Sequence, residues 1–295
     1  MKQNLAAVLV FYKPNNENIN NFKNYLDAID KLYIIDNSDD NIERVKSTPK
    51  IEYIKLNENK GIAFALNEGA KKAIKDNYKY LLTMDQDSKI TSRIIQEMCD
   101  FLKNTSIKNI GLISPFHDIK TLEEKPTKKI EERLEVMTSG NIIDLSAYQK
   151  INGFKDWLFI DGVDIEYGMN LNKNGYKVIR LNYIKMPHEL GNAKIYNVFG
   201  KKVLCSNHNA IRRYYMIRNT LYINELYKDI YPDYCKLLIN CQKGQIKRVI
   251  FFEKHKLSKI MNMIKGYLDF KRDKTGKMRW NICMILEMLR LISLG

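Results

Sequence analysis

Residues 81–88 read LLTMDQDS, an apolar run that ends in two acids one residue apart. The run Tyr80–Met84 is short, apolar and unbroken, as a buried parallel strand is. Alternation along the strand puts Asp85 and Asp87 on one side, facing one space at its mouth, and Gln86 on the other. The carboxyl ends of strands are where open α/β sheets bind ligands. Two carboxylates there offer a hard, all-oxygen site suited to Mg²⁺ or Mn²⁺, and a divalent ion is what a diphosphate needs. Taken alone, D-x-D equally describes a strand followed by an acidic turn.

Working outward, the preceding 80 residues alternate strand and helix patterns. Leu5–Tyr12 (LAAVLVFY) is a continuous apolar strand stopped by Lys13-Pro14. Residues 18–29 have helical spacing through Ile19, Phe22, Leu26 and Ile29. Residues 32–35 form a second strand, closing on Asp36-Asn37-Ser38, and residues 51–56 a third. In NKGIAFALNEGAKKA (59–73), Ile62, Ala65, Leu66, Gly69 and Ala70 share one helical stripe. Strands alternating with helices predict βαβ units and a mostly parallel sheet.

Beyond the acids, the spacing predicts a helix at 92–103 and a strand at 110–114. A charged loop with Pro126 follows over 118–133, then a strand in MTSGNIID (137–144) and a helix at 146–151. NGF (152–154) turns the chain. Asp161, Asp164 and Glu166 then fall within six residues, ahead of a helix over 165–172 stopped at Gly175. A strand at 177–181 and MPHELG (186–191) come next. From Arg212 the pattern becomes helical and rich in Tyr, Leu and Ile. The expected organisation is a catalytic part over 1–205, with a nucleotide-binding half to about 115 and an acceptor half over 116–205, then a helical, basic region over 206–295.

With 295 residues the chain can bury a full core. Its +15 formal charge calls for an anionic partner. Residues 245–295 hold twelve Lys and Arg against four Asp and Glu, so the excess is partly regional. No apolar run reaches the roughly 18 residues of a membrane span, and Met1–Tyr12 lacks a cleavage-type leader. Five cysteines, with no C-x-x-C pair, suit reduced thiols of a cytoplasmic protein.

In order and spacing, IIDNSD, NKGIAFALNEG, LLTMDQDS, TSGNII, NGF, FIDGVDIEYGMNLNKNGYK, the His of MPHELG and RRYYMIRN resemble the inverting GT-A glycosyltransferases of family 2. Within that family they are most similar to its bacterial rhamnosyltransferase-like branch. The resemblance covers about residues 3–220 and implies an α/β GT-A fold with a helical C-terminal extension. It also implies a nucleoside-diphosphate sugar donor, most similar to dTDP-rhamnose, with a UDP-sugar as the alternative. The acceptor it implies is a saccharide, free or lipid-linked, in a bacterial surface polysaccharide.

The resemblance assigns roles residue by residue. Asp36 is similar to the acid that reads the nucleobase or ribose. Asn59 and Gly61 bring backbone to the nucleotide at a helix N-terminus, a place suited to anions. Asp85 lies nearer the ribose, Asp87 on the metal, and His188 resembles a third ligand; imidazole favours Mn²⁺ over Mg²⁺. Arg212, Arg213 or Arg218 would help to neutralise the leaving phosphates. Asp164 matches the base that takes the acceptor proton, and Asp161 is the alternative. Two positions depart from the pattern: Val163 stands where an acid precedes the base, and Asn170 where an Arg is common. Nucleotidyl transfer would want a Gly-rich triphosphate loop, which is not visible, and no nucleic-acid-binding module appears. Trp280–Leu294, behind the basic cluster Lys271–Arg279, reads either as a peripheral contact with an anionic membrane or as packing on the catalytic part or a partner subunit.

Overall fold

The structure is a computed structural model and describes residues 4–279 apart from 41, 120, 122, 123, 190, 192 and 199. The stretch Trp280–Leu294 therefore lies outside the described residues. The chain packs as two compact units: residues 1–156 with 163–190, and residues 157–162 with 191–295.

The first unit begins with β1 (Leu5–Phe11), buried at every position, and α1 (Asn16–Asn21), which two single 3-10 turns extend towards Ala28. Next come β2 (Lys31–Asp36), β3 (Ile51–Lys55), α2 (Ile62–Lys75), β4 (Tyr80–Asp85) and α3 (Ser92–Asn104). They are followed by β5 (Ile110–Ile119), β6 (Ile130–Arg133), β7 (Asn141–Asp144), α4 (Leu145–Lys150), α5 (Val163–Lys173) and β8 (Lys177–His188). These strands form one eight-stranded sheet in the order β3-β2-β1-β4-β7-β5-β8-β6. The first four are parallel, β7 is antiparallel to β4 and β5, and β5 runs parallel to β8.

The βαβ half follows from composition. β1 and β2 are apolar on both faces because helices cover both. Ala63, Leu66, Gly69, Ala70 and Ala73 form the buried stripe of α2. Gly69 is there for close approach: a Cβ on it would stand 2.2 Å from Val8 Cγ2. The core joins Leu5, Leu9, Phe11, Leu32, Ile34, Leu82 and Met84 to Ile95, Met98, Ile113, Ile142 and Ile179.

Residues 118–133 are less loop-like than their charge suggests. β5 continues to Ile119, and β6 pairs as an edge strand with Val178–Leu181. β8 likewise runs past Leu181 to His188 through Pro187. Proline is tolerated there because β6 has already ended, so that stretch of β8 pairs with β5 alone.

The second unit holds a hairpin, β9 (Lys194–Val198) and β10 (Lys201–Cys205), followed by α6 (Ala210–Tyr227), α7 (Pro232–Phe252) and α8 (Lys256–Lys271). The helical pattern expected from Arg212 onward is broken at Glu253-Lys254-His255, where His255 has φ 55°. Two buried ion-pair networks hold this unit. Glu253 accepts from Arg213 and from Lys259 (2.8 Å). Asp269 accepts from Lys265 (2.6 Å) and the Tyr214 hydroxyl (2.8 Å). Removing one partner from such a network would leave a buried charge uncompensated, a cost of roughly 3–5 kcal/mol.

Candidate active site

In the first unit the site is built where β4 runs out. The β1–β4 ladder ends at Val10 opposite Asp85. Beyond it the Gln86 side chain takes over the pairing: the Tyr12 N–H donates to Gln86 Oε1 (2.8 Å) and Gln86 Nε2 donates to the Tyr12 carbonyl (3.3 Å). The chain then turns, with the Ser88 N–H donating to the Asp85 carbonyl at 3.3 Å. Asn21 Nδ2 donates to the carbonyls of Gln86 (3.2 Å) and Ser88 (2.6 Å), tying the turn to α1. Asp87 is therefore an exposed turn residue and does not continue the strand, while Asp85 is half-buried at the strand end. The two acids stand on one pinned turn, and strand alternation does not set their relation.

The floor of the turn is the TSG segment. The Thr83 hydroxyl donates to the Thr138 carbonyl (2.6 Å), and the Asp85 N–H donates to Ser139 Oγ (3.0 Å). The Ser139 carbonyl stands 2.8 Å from His117 Nε2. A carbonyl can only accept, so that nitrogen carries the proton. The His117 ring meets the His188 ring edge-on, with centroids 5.5 Å apart. Burial pushes His117 down to about 4, against the pull of its bond to Ser139. Burial also lowers His188, while the charge of Asp87 acts on it in the opposite sense. Both imidazoles are thus neutral at pH 7, and Asp87 lies within electrostatic reach of His188.

Those donors fit a divalent ion in kind: two carboxylates and a neutral imidazole suit Mn²⁺, and the carboxylates alone suit Mg²⁺. They are not gathered into a finished cage. Among the described residues no group of three or more His, Cys, Asp and Glu side chains stands ready to hold a metal.

Along the neighbouring strand ends, Asp36 is fully buried. Its carboxylate accepts from Arg44 (2.7 Å), the Ser38 N–H (3.0 Å) and the Tyr53 hydroxyl. Arg44 also donates to Asp40 at 2.6 Å, so this acid organises its own loop. Asn59 and Gly61 form the entry to α2. Asn59 Oδ1 accepts from Asn37 Nδ2 (3.1 Å) and from the Gly61 N–H (3.0 Å), and Asn37 Oδ1 accepts from the Lys60 N–H (2.8 Å). Gly61 has φ 93° and ψ 159°, a region open essentially to glycine alone. No side chain caps α2, whose first-turn amides keep their affinity for anions.

The remaining motifs of the first unit are clamps. Asn67 Oδ1 accepts from the Tyr148 hydroxyl (2.7 Å) and the Phe154 N–H (3.0 Å), and its Nδ2 donates to the Phe154 carbonyl (2.8 Å) and Asp156 (2.6 Å). One buried side chain thus fastens NGF to α2. Asn170, where the pattern commonly has Arg, donates to the Ile151 carbonyl at 3.2 Å and closes the end of α4. Asp164, half-buried in the first turn of α5, accepts from the Ile165 N–H at 3.0 Å.

Asp161 belongs to the second unit. It has φ 62°, and Phe159 has φ 67°, conformations that non-glycine residues rarely adopt. Asn219 holds them by donating to the carbonyls of Leu158 (2.9 Å), Ile160 (2.8 Å) and Asp161 (2.7 Å). Arg218 adds the carbonyls of Trp157 (3.2 Å) and Leu158 (3.1 Å). The Asp161 carboxylate is gripped at both oxygens by Arg212, at 3.2 and 2.5 Å. Of the three arginines expected near phosphates, Arg213 and Arg218 are fully buried, with their terminal guanidinium nitrogens bonded inside this unit. Only Arg212 keeps substantial exposure. Nothing in the sequence marked His117, Arg44, Tyr53 or Asn21 as parts of the site, because each reaches it only through a partner that folding brings to it.

Residues 17–162 match the sequence family described as Glycosyl transferase family 2. The dTDP-rhamnosyl transferase RfbF of Shigella flexneri is 24% identical over 307 aligned positions, covering 95% of this chain and 100% of that protein. Among solved structures, S. aureus TarS 1–349 superimposes with a TM-score of 0.54 at 10% identity, over 92% of this chain and 81% of that one. GalNAc-T7, solved with UDP, GalNAc and Mn²⁺, gives 0.54 at 13% identity, over 92% of this chain and 57% of that one. These two likenesses concern the fold alone. With that fold, and with a matched domain running from α1 to the Asp161 loop, the chain is a family 2 glycosyltransferase.

Proposed function

We propose that the chain transfers a rhamnosyl group from dTDP-rhamnose to a saccharide acceptor, free or lipid-linked, with inversion at the anomeric carbon, in the building of a bacterial surface polysaccharide. The donor reading is supported by similarity to a dTDP-rhamnosyl transferase along 95% of this chain and the whole of that one. The observation that carries the chemistry is the pinned Asp85–Asp87 turn beside two neutral imidazoles.

In this reading the acceptor hydroxyl attacks the anomeric carbon, the bond to the diphosphate oxygen breaks, and dTDP leaves with the electron pair. Asp87 and Asp85, with His188, would hold Mn²⁺ or Mg²⁺, which supplies positive charge against the departing diphosphate. The uncapped amides of α2 behind Gly61 add a fixed partial charge of the same sign. The acceptor proton passes to Asp164. Asp161 is the weaker candidate because both of its carboxylate oxygens are already engaged by Arg212.

A panel of nucleotide sugars, read as nucleoside diphosphate released with Mn²⁺ present, tests the donor. The expected result is release from dTDP-rhamnose well above every other donor. Turnover of a UDP-sugar with none of dTDP-rhamnose would replace the donor and leave the reaction class standing.

A further inference from the structure

The second unit carries a surface that sugar transfer does not use. Between Asp233 and Asp273 the sequence has two acids, Glu253 and Asp269. Both are buried and paired, with Arg213 and Lys259 on one and Lys265 and Tyr214 on the other. From Tyr234 to Arg272, past the exposed Asp233 that opens α7, no acid is left to face solvent. Lys236, Lys243, Lys247, Lys254, Lys256 and Lys271 are all exposed there.

Set among these cations are large apolar side chains in water: Phe251 is 68% exposed, Leu257 66% and Ile250 45%. They flank the corner at Glu253-Lys254-His255. The pairing of Glu253 with Arg213 and Lys259 holds that corner from inside, so its outer residues have a rigid base. Behind the corner, between α6, α7 and α8, is a cavity of about 330 Å³ lined largely by Ile217, Leu221, Ile239, Ile246, Ile260 and Ile264.

We propose that this α7–α8 corner is a docking surface for an anionic phospholipid leaflet. Phe251, Leu257 and Ile250 would enter the interface, and the lysines would lie against the headgroups. An apolar wedge ringed by cations is what interfacial binding requires, since apolar burial and attraction to anionic lipid add together. The charge argues against a second copy of the chain, because a symmetric contact would face this all-positive surface with itself. A nucleic acid would match the charge but gives Leu257 and Ile250 nothing to bury against. The inference is independent of the donor sugar and of the metal.

The test is co-sedimentation of the full-length protein with phosphatidylglycerol vesicles and with phosphatidylcholine vesicles, at low and high salt. Wild type is expected to bind the anionic vesicles, weakly in high salt, and to ignore the neutral ones. Ile250→Ser/Phe251→Ser/Leu257→Ser and, separately, Lys247→Glu/Lys254→Glu/Lys256→Glu should each lower anionic binding at least tenfold. Donor turnover in solution and the melting temperature should stay at wild-type values. Unchanged vesicle binding by both variants would overturn the proposal, as would no binding by wild type. A large fall in melting temperature in the serine variant would show that the chain's own remainder covers the corner. A dimer broken by the same variant would assign the surface to a second copy. Tight single-stranded RNA binding that survives loss of the apolar side chains would assign it to nucleic acid.

Discussion

Asp161 and Asp164 are three residues apart and differ in what holds them. Asp161 sits on a left-handed backbone with both carboxylate oxygens on Arg212, whereas Asp164 opens a helix. Asp164→Asn is expected to lower transfer by about 10²–10⁴-fold, the range for loss of a general base, with donor binding kept. Asp161→Asn should cost less transfer and more stability, because it releases Arg212 from the loop. Initial rates and melting temperatures for the pair decide this, and the reverse ranking would move the base to Asp161. At this scale the sequence showed where the acids stand along the chain and gave no sign of how the arginines are paired. Asp85 and Asp87 could be read from their place after an apolar run. Arg213 was offered for the leaving phosphates because its buried partner, Glu253, lies 40 residues on. His117 stood without context until β5 and β8 came together and brought it against His188.

Elements were legible where one period ran unbroken. β1, β2, β4 and α2 lie where apolar runs and a small-residue stripe put them, because buried parallel strands and a helix on top leave no room for polar interruptions. The β9–β10 hairpin went unread, since Lys and Asn interrupt its alternation on a half-exposed surface. β6 is equally hidden: Ile130–Arg133 is charged, and only its pairing with β8 makes it a strand. The fit of α2 on β1 gives a direct expectation. Gly69→Ala places a methyl 2.2 Å from Val8 Cγ2, so it should destabilise by roughly 1–3 kcal/mol through overpacking. Val8→Ala in the same chain should recover part of that loss, since neighbours in contact do not add. Urea melts of the two single variants and the double variant measure it, and full additivity would mean that the helix does not approach the strand there.

For the whole molecule, charge and catalysis separate. The first unit carries the acids, the imidazoles and the amides of α2; the second carries much of the positive charge and buries two of the three arginines offered for phosphate binding. With those guanidinium groups bonded inside their own unit, the proposed reaction would leave the counter-charge for a departing diphosphate chiefly to a divalent ion at the pinned turn. Calorimetric titration of dTDP into the protein, with Mn²⁺ and with the metal chelated, measures this most directly, with Asp87→Asn alongside. The expected result is binding by wild type that weakens at least tenfold when Mn²⁺ is removed, and the same weakening in Asp87→Asn with Mn²⁺ present. Equal affinity with and without metal, or wild-type affinity in Asp87→Asn, would contradict the assignment of the Asp85–Asp87 turn as the metal and diphosphate site.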